Sequence, residues 1–174
     1  MSRWKRYLIW IALVLLAFLL IGWSRGDIPI VIKENVHKVE LQSAEKKVLF
    51  AWQKTVYKEM IALEVTNYLE DKDVQVDVVE LEKLNKTMLQ EYDAIIIMHS
   101  WEVWRPPRVV RRFVKSTENS KKIFMVSTSG GGDLILKNVD GITSASDINN
   151  AQNDIDETIF WLNKILSLET ATNY

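Results

Sequence analysis

The sequence predicts an α/β fold: a five-stranded, parallel, doubly wound sheet preceded by an apolar N-terminal segment. Three observations carry that expectation. From Lys47 onward, short apolar runs alternate with stretches of helical periodicity, the order of elements that builds a parallel sheet with right-handed crossovers. Ala94–Met98 reads AIIIM, a solid apolar run as expected of a central parallel strand covered on both faces. Val126–Asp133, VSTSGGGD, leaves an apolar strand through two hydroxyls into three glycines. Ligands of open α/β sheets bind at such loops, beyond the carboxyl ends of the strands.

The N-terminus stands apart from this pattern. Arg3, Lys5 and Arg6 precede Tyr7–Trp23, YLIWIALVLLAFLLIGW, which carries no charge. At about 1.5 Å per residue this stretch is near the lower limit for crossing a hydrocarbon core of roughly 30 Å. Trp4, Tyr7, Trp10 and Trp23 put rings near both ends, as interface anchors would be. The expectation is a transmembrane signal anchor over residues 1–25. Its positive flank stays in the cytoplasm, so the protein is single-pass in the cell membrane and its C-terminal domain is extracytoplasmic. A cleaved signal peptide is the rival reading. It needs small residues before the cut, and Gly22-Trp23-Ser24-Arg25 supplies no such pair. A soluble buried helix is the third. Residues 26–46 form a polar linker with one apolar patch, Ile28–Ile32, that reads as tether or short edge strand.

Residues 47–170 are expected to form the domain. Val48–Trp52 reads as a buried strand. Thr55–Glu70 places Tyr57, Met60, Ile61, Leu63, Val65 and Tyr68 at helical spacing. Val74–Leu81 alternates as a strand, and Leu84–Leu89 makes a helical turn at most. After Ala94–Met98, Pro106-Pro107 opens a helix that turns Val109, Val110, Phe113 and Val114 inward; proline is tolerated in a first turn because its missing N–H would be unpaired there anyway. Ile123–Val126 is the fourth strand and Gly141–Ala145 a weak fifth. Ile148–Leu168 closes the chain as a helix with Ile155, Ile159, Leu162 and Leu166 on one stripe.

Composition removes several function classes. The absence of cysteine excludes disulfides, thiolate catalysis, zinc–cysteine sites and lipidation at a lipobox. His37 and His99 lie far apart with no metal-ligand spacing around either. A net charge of -1 gives no global field towards nucleic acid.

Three stretches, Tyr92–Phe113, Lys122–Asp133 and Gly141–Leu162, make the chain resemble the flavodoxin family over about Lys47–Leu168. The resemblance implies strand order 2-1-3-4-5, FMN at the loops after strands one, three and four, and electron transfer to a redox or membrane-protein partner. It places Ser127–Asp133 against the flavin ring, with contacts from Thr128, Ser129, Gly130, Gly131 and Gly132. It places Ser100, Trp101 and Trp104 in the loop after strand three, where an aromatic stacks on the ring; in their own right these indoles read equally well as a roof over the sheet. The phosphate loop falls on Gln53, Lys54 and Thr55, and here the chain departs from the family's T/S-x-T-G-x-T pattern. Ala51–Tyr57 has no glycine, so fewer backbone N–H groups can turn inward to a phosphate at a helix start. Lys54 offers a point charge and Thr55 a hydroxyl as partial substitutes. Dephosphorylated flavin is an alternative ligand, and a flavin-free interaction or scaffold module at the membrane surface is the alternative function.

Three further features are weighed against plainer readings. Arg105, Arg108, Arg111, Arg112 and Lys115 make the third helix basic, either a solvated face or a docking surface for an acidic partner or anionic headgroups. His99 and Ser127 end neighbouring strands, which permits a serine–histidine pairing, but no G-x-S-x-G elbow is present. No catalytic residue is assigned. Asp154, Asp156 and Glu157 read as a solvated face.

Overall fold

The structure, a computed structural model, describes residues 46–117 and 120–168. The apolar Tyr7–Trp23 stretch, His37 and nearly all of the linker lie outside the described residues. Among those described, no helix is long and apolar enough to cross a membrane.

Strand β1 (Lys46–Trp52) leads to α1 (Val56–Glu70), β2 (Val74–Glu80), a 3₁₀ turn at Leu81–Lys83 and the single-turn α2 (Met88–Glu91). Then come β3 (Ala94–Ser100), α3 (Arg108–Ser116), β4 (Ile123–Thr128), β5 (Asp140–Ser144), a 3₁₀ turn at Ile148–Asn150 and α4 (Ala151–Leu166). The strands form one sheet in the order β2-β1-β3-β4-β5, every neighbouring pair parallel. This is the flavodoxin-like order.

Strand alternation divides the core. Val48, Phe50, Ala94, Ile96, Met98, Phe124 and Val126 face α1 and α4, where Ile61, Val65, Leu69, Ile155, Trp161 and Leu162 meet them. Leu49, Ala51, Ile95, Ile97, Ile123 and Met125 face the other way, onto Leu81, Val110 and Phe113. A side-chain period of two thus builds two layers from the solid apolar runs of the three central strands, because helices cover both faces.

The elements depart from expectation in instructive places. β4 runs on to Thr128, so the first hydroxyls of VSTSGGGD belong to the sheet rather than the loop. The closing helix starts as a 3₁₀ turn. Leu63, counted on the apolar face of α1, is exposed; Lys58 and Ala62 take the buried stripe instead. Asp154 is buried rather than solvated. It accepts a hydrogen bond from the Tyr57 hydroxyl at 2.5 Å, and Ser144 Oγ lies 2.9 Å from the same hydroxyl. Burial first, and then the Asp154 bond, push the Tyr57 phenol up to about 12. The cluster ties α1, α4 and β5 together.

Candidate functional site at the carboxyl rim of the sheet

Sheet register decides which loops meet. Ser100 pairs with Thr128, and Thr128 with Ser144, so the chain leaves β3, β4 and β5 at one level. Trp101 N donates to Thr128 O at 2.8 Å, extending the β3–β4 ladder by one residue. The loops after strands three and four therefore begin side by side.

After β3 the chain makes a tight hairpin. Glu102 N donates to Arg105 O at 2.8 Å and Arg105 N returns to Glu102 O at 3.0 Å. The two residues between them, Val103 and Trp104, have φ of 45° and 63°. That is the pattern of a type I′ turn, which favours glycine and asparagine; a β-branched valine there is strained. Both side chains project to solvent, Val103 89% and Trp104 78% exposed. Trp101 is half-buried, its ring 6.2 Å from that of His99 and tilted by 48°.

After β4, Ser129 N donates to Ser144 O at 3.1 Å, and Gly132 N donates back to Ser129 O at 3.2 Å. The three glycines are not equivalent. Gly132 has φ +66°, and a Cβ there would lie 2.8 Å from Ala145 N. Glycine is thus demanded both by conformation and by the approach of the chain leaving β5. A Cβ on Gly131 would meet only the Asp133 carboxylate, and one on Gly130 would meet nothing within 4 Å.

After β1, Gln53 joins two loops. Its Oε1 accepts from Ser100 N at 2.7 Å, and its Nε2 donates to Glu102 Oε1 at 3.0 Å. Thr55 caps α1, its hydroxyl accepting from Lys58 N at 3.3 Å. Lys54 is exposed and lies 3.9 Å from Glu59, a surface pair of little energetic consequence. Gln53 and Thr55 are thus occupied with the protein's own backbone, and no glycine stands between them.

Lys58 is the candidate-site residue that sequence reasoning missed. It sits in the first turn of α1 and is fully buried. Its Nζ donates to Ser100 Oγ at 2.7 Å, and Ser100 Oγ lies 3.0 Å from Thr128 Oγ1. An ammonium has three N–H donors; among the described residues only the Ser100 bond meets them, and no carboxylate bonds it. Burial lowers its pKa to about 8. The signal was present: Lys58 stands three and four residues before Ile61 and Ala62, on the apolar stripe.

His99 and Ser127 do meet, Ser127 Oγ lying 3.1 Å from His99 Nε2. Both are buried, with 0% and 1% exposure, and His99 Nδ1 has no partner. Burial, assisted by Lys58, pulls the imidazole down to about 4, so it is neutral at physiological pH. A sealed serine, and a histidine with no acid to orient it, lack the geometry of a nucleophilic pair.

Buried side-chain atoms without partners gather here. His99 Nδ1, Trp101 Nε1, Ser129 Oγ and Thr143 Oγ1 all lie at the carboxyl ends of β3, β4 and β5. Glu59 Oε1 lies at the start of α1. Each such atom costs about 1–3 kcal/mol if it stays unpaired, and most buried polar atoms in folded proteins are paired. Among the described residues no cluster of acidic, histidine or cysteine side chains could hold a metal ion.

No family model and no curated protein matches this chain. Solved structures do. An archaeal flavodoxin is 15% identical, matched over 69% of this chain and 99% of its own, with a TM-score of 0.49. Flavodoxin 2 from Bacillus cereus is 19% identical over 68% and 99%, TM-score 0.49. The flavodiiron protein from Giardia intestinalis is 8% identical over 71% of this chain and 37% of its own, TM-score 0.51. At these identities the likeness concerns the fold, which is flavodoxin-like.

Proposed function

We propose that the chain is a membrane-tethered flavin-binding protein of electron transfer, taking FMN at the rim formed by β1, β3 and β4. The observation that carries this reading is the gathering of unpartnered buried atoms on Trp101, Ser129 and Thr143, three half-buried residues at the carboxyl rim. The pyrimidine edge of a flavin presents carbonyl oxygens and an imide N–H, acceptors and a donor of the kind these atoms lack. The ring end therefore fits. The phosphate end fits less well, since Gln53 and Thr55 are committed elsewhere. The positive charge for a phosphate falls instead to Lys58, with Lys54 outside it.

Within this reading Trp101 covers one ring face and excludes water, while Ser129–Gly132 supply backbone and hydroxyl contacts on the pyrimidine side. Ser100 and Thr128 hold the Lys58 ammonium in place. A bound flavin supplies redox chemistry that the side chains lack, and the protein's part is to position it and set its surroundings. The uncharged Tyr7–Trp23 run supports the tether.

The test is an absorption spectrum of the purified protein, followed by titration of flavin fluorescence with FMN and riboflavin. Quenching by both, with FMN bound somewhat more tightly, is the expected result. A colourless protein that quenches neither would favour a second reading, a flavin-free interaction module. That reading is supported by the way Gln53 and Lys58 already bond to the neighbouring strand end.

A further inference from the structure

We propose that the Glu102–Arg105 hairpin and the outer face of α3 form a docking surface for an anionic phospholipid bilayer. Val103 and Trp104 enter the interface, and Arg105, Arg108, Arg111, Arg112 and Lys115 face the headgroup phosphates.

The geometry of α3 sorts its side chains cleanly. Val110 and Phe113 are buried against the sheet. Arg108, Arg111, Arg112 and Lys115 are all exposed, at spacings of three, four and seven residues, which places them on one helical face. Arg105, also exposed, carries the charge back to the hairpin. No acidic residue occurs from Val103 to Lys115. Glu102, engaged by Gln53, and Glu118 bound the stretch in sequence, and Glu82 lies in the 3₁₀ turn packed against α3. Two prolines at positions 106 and 107, both buried, fix the approach of the hairpin to the helix.

The hairpin supplies the apolar half. A valine and a tryptophan are both held at positive φ with their side chains in water. Folding alone does not favour that conformation or that exposure. Tryptophan at a tip beside a row of arginines matches the interface chemistry of a bilayer, where indoles settle at headgroup level and cations meet phosphates. An acidic protein surface would meet the same cations and the same indole; the vesicle experiment below separates it from a bilayer. The tether expected at Tyr7–Trp23 would keep the surface within reach of a membrane.

The test uses the full chain in proteoliposomes. With no native cysteine, a Val103→Cys variant takes a single environment-sensitive label, and Glu70→Cys, exposed at the far end of α1, gives a control. Vesicles are phosphatidylcholine alone or phosphatidylcholine and phosphatidylglycerol in equal amounts, each carrying brominated acyl chains as quencher. The label at 103 should be quenched in the anionic vesicles, less in the neutral ones and less again in high salt, while the label at 70 stays bright. Substituting Arg108, Arg111, Arg112 and Lys115 by Gln should reduce docking by roughly fivefold per charge removed. The four side chains are exposed, so the fold is retained, and circular dichroism checks it. Quenching equal in both vesicles, or unchanged by the four substitutions, overturns the proposal, as does none in either. So does shielding of the label that grows with protein concentration in lipid-free detergent, which would assign the tip to a second copy of the chain.

Discussion

Replacing Lys58 by Met separates a lysine that stabilises the fold from one that the fold merely tolerates. Burial moves the amine from 10.5 to about 8. At about 1.4 kcal/mol per pH unit, the charged form costs about 3 kcal/mol if the shift is taken whole. Ser100, which holds the ammonium, is only half-buried, and water reaching that edge screens the charge, leaving about 2 kcal/mol. Loss of the Ser100 bond offsets about 1 kcal/mol of the gain, because Ser100 keeps Thr128. Lys58→Met should therefore be more stable by about 1 kcal/mol near pH 7. The sign of the pH dependence follows. The folded pKa is depressed, so between about 8 and 10.5 the unfolded chain binds more protons and the wild type gains stability as pH rises. The advantage of the variant should shrink across that window. Tyr57, raised to about 12, loses its contribution only above pH 10 and leaves the window clear. The assay is urea unfolding of the compact unit Glu40–Tyr174, followed by circular dichroism at pH 7, 8.5 and 9.5. A variant that is less stable at pH 7, or a difference that ignores pH, would refute the reasoning. The same substitution should weaken FMN by about tenfold, as expected of a lost charge-assisted contact, and leave riboflavin unchanged.

Three other outcomes are expected. His99 should show no titration by NMR between pH 5 and 8, since burial holds it neutral down to about 4; a midpoint near 6.5 would contradict its placement. Because that folded pKa is depressed, stability should be lost as pH falls from about 6.5 towards 4, by about 2 kcal/mol at pH 5 from this group. Gly132→Ala should cost about 1–3 kcal/mol and abolish flavin binding, for its Cβ meets backbone at a positive φ, whereas Gly130→Ala should change neither by more than about 0.5 kcal/mol; equal effects at the two positions, read by thermal melts and flavin titration, would mean the loop is not held as described.

The sheet was legible because its central parallel strands, covered on both faces, carry solid apolar runs. AIIIM at Ala94–Met98 has no other comfortable setting, and the helices between such runs leave one handed topology. The rim was legible only in outline. The positions of Ser100, Trp101, Thr128 and Ser129 follow from strand ends, so their convergence could be expected. Lys58 was passed over and Asp154 misread for a common reason. Each is a charged residue on an apolar stripe, and periodicity counts apolar positions while treating charge as a vote for solvent. What buries them is a partner distant in sequence: Ser100 for one, Tyr57 for the other. The outward turn of Trp104 was equally hidden, since it depends on two non-glycine residues adopting positive φ, against their own preference.

Local rules are broken selectively in this molecule, and the breaches share an address. Asp73, Asn138 and Ser146 also have positive φ, but they are short polar residues, and asparagine and aspartate in particular enter that region at little cost. Val103 and Trp104 do not. Lys46 and Lys122 reach backbone carbonyls, so their ammonium groups are met by acceptors, while Lys58 has a lone serine hydroxyl. The conspicuous costs, an unneutralised buried cation, a strained apolar hairpin and a set of unpartnered polar atoms, all fall within or beside the loops after β1, β3 and β4. Such departures are expected where function outweighs local stability. The buried cation and the unpartnered atoms lie at the carboxyl end of the sheet and belong to the flavin reading proposed above. The exposed hairpin belongs to the bilayer reading. One strand end, Ser100, thus stands between two different recognition problems, and mutations on either side of it should separate them.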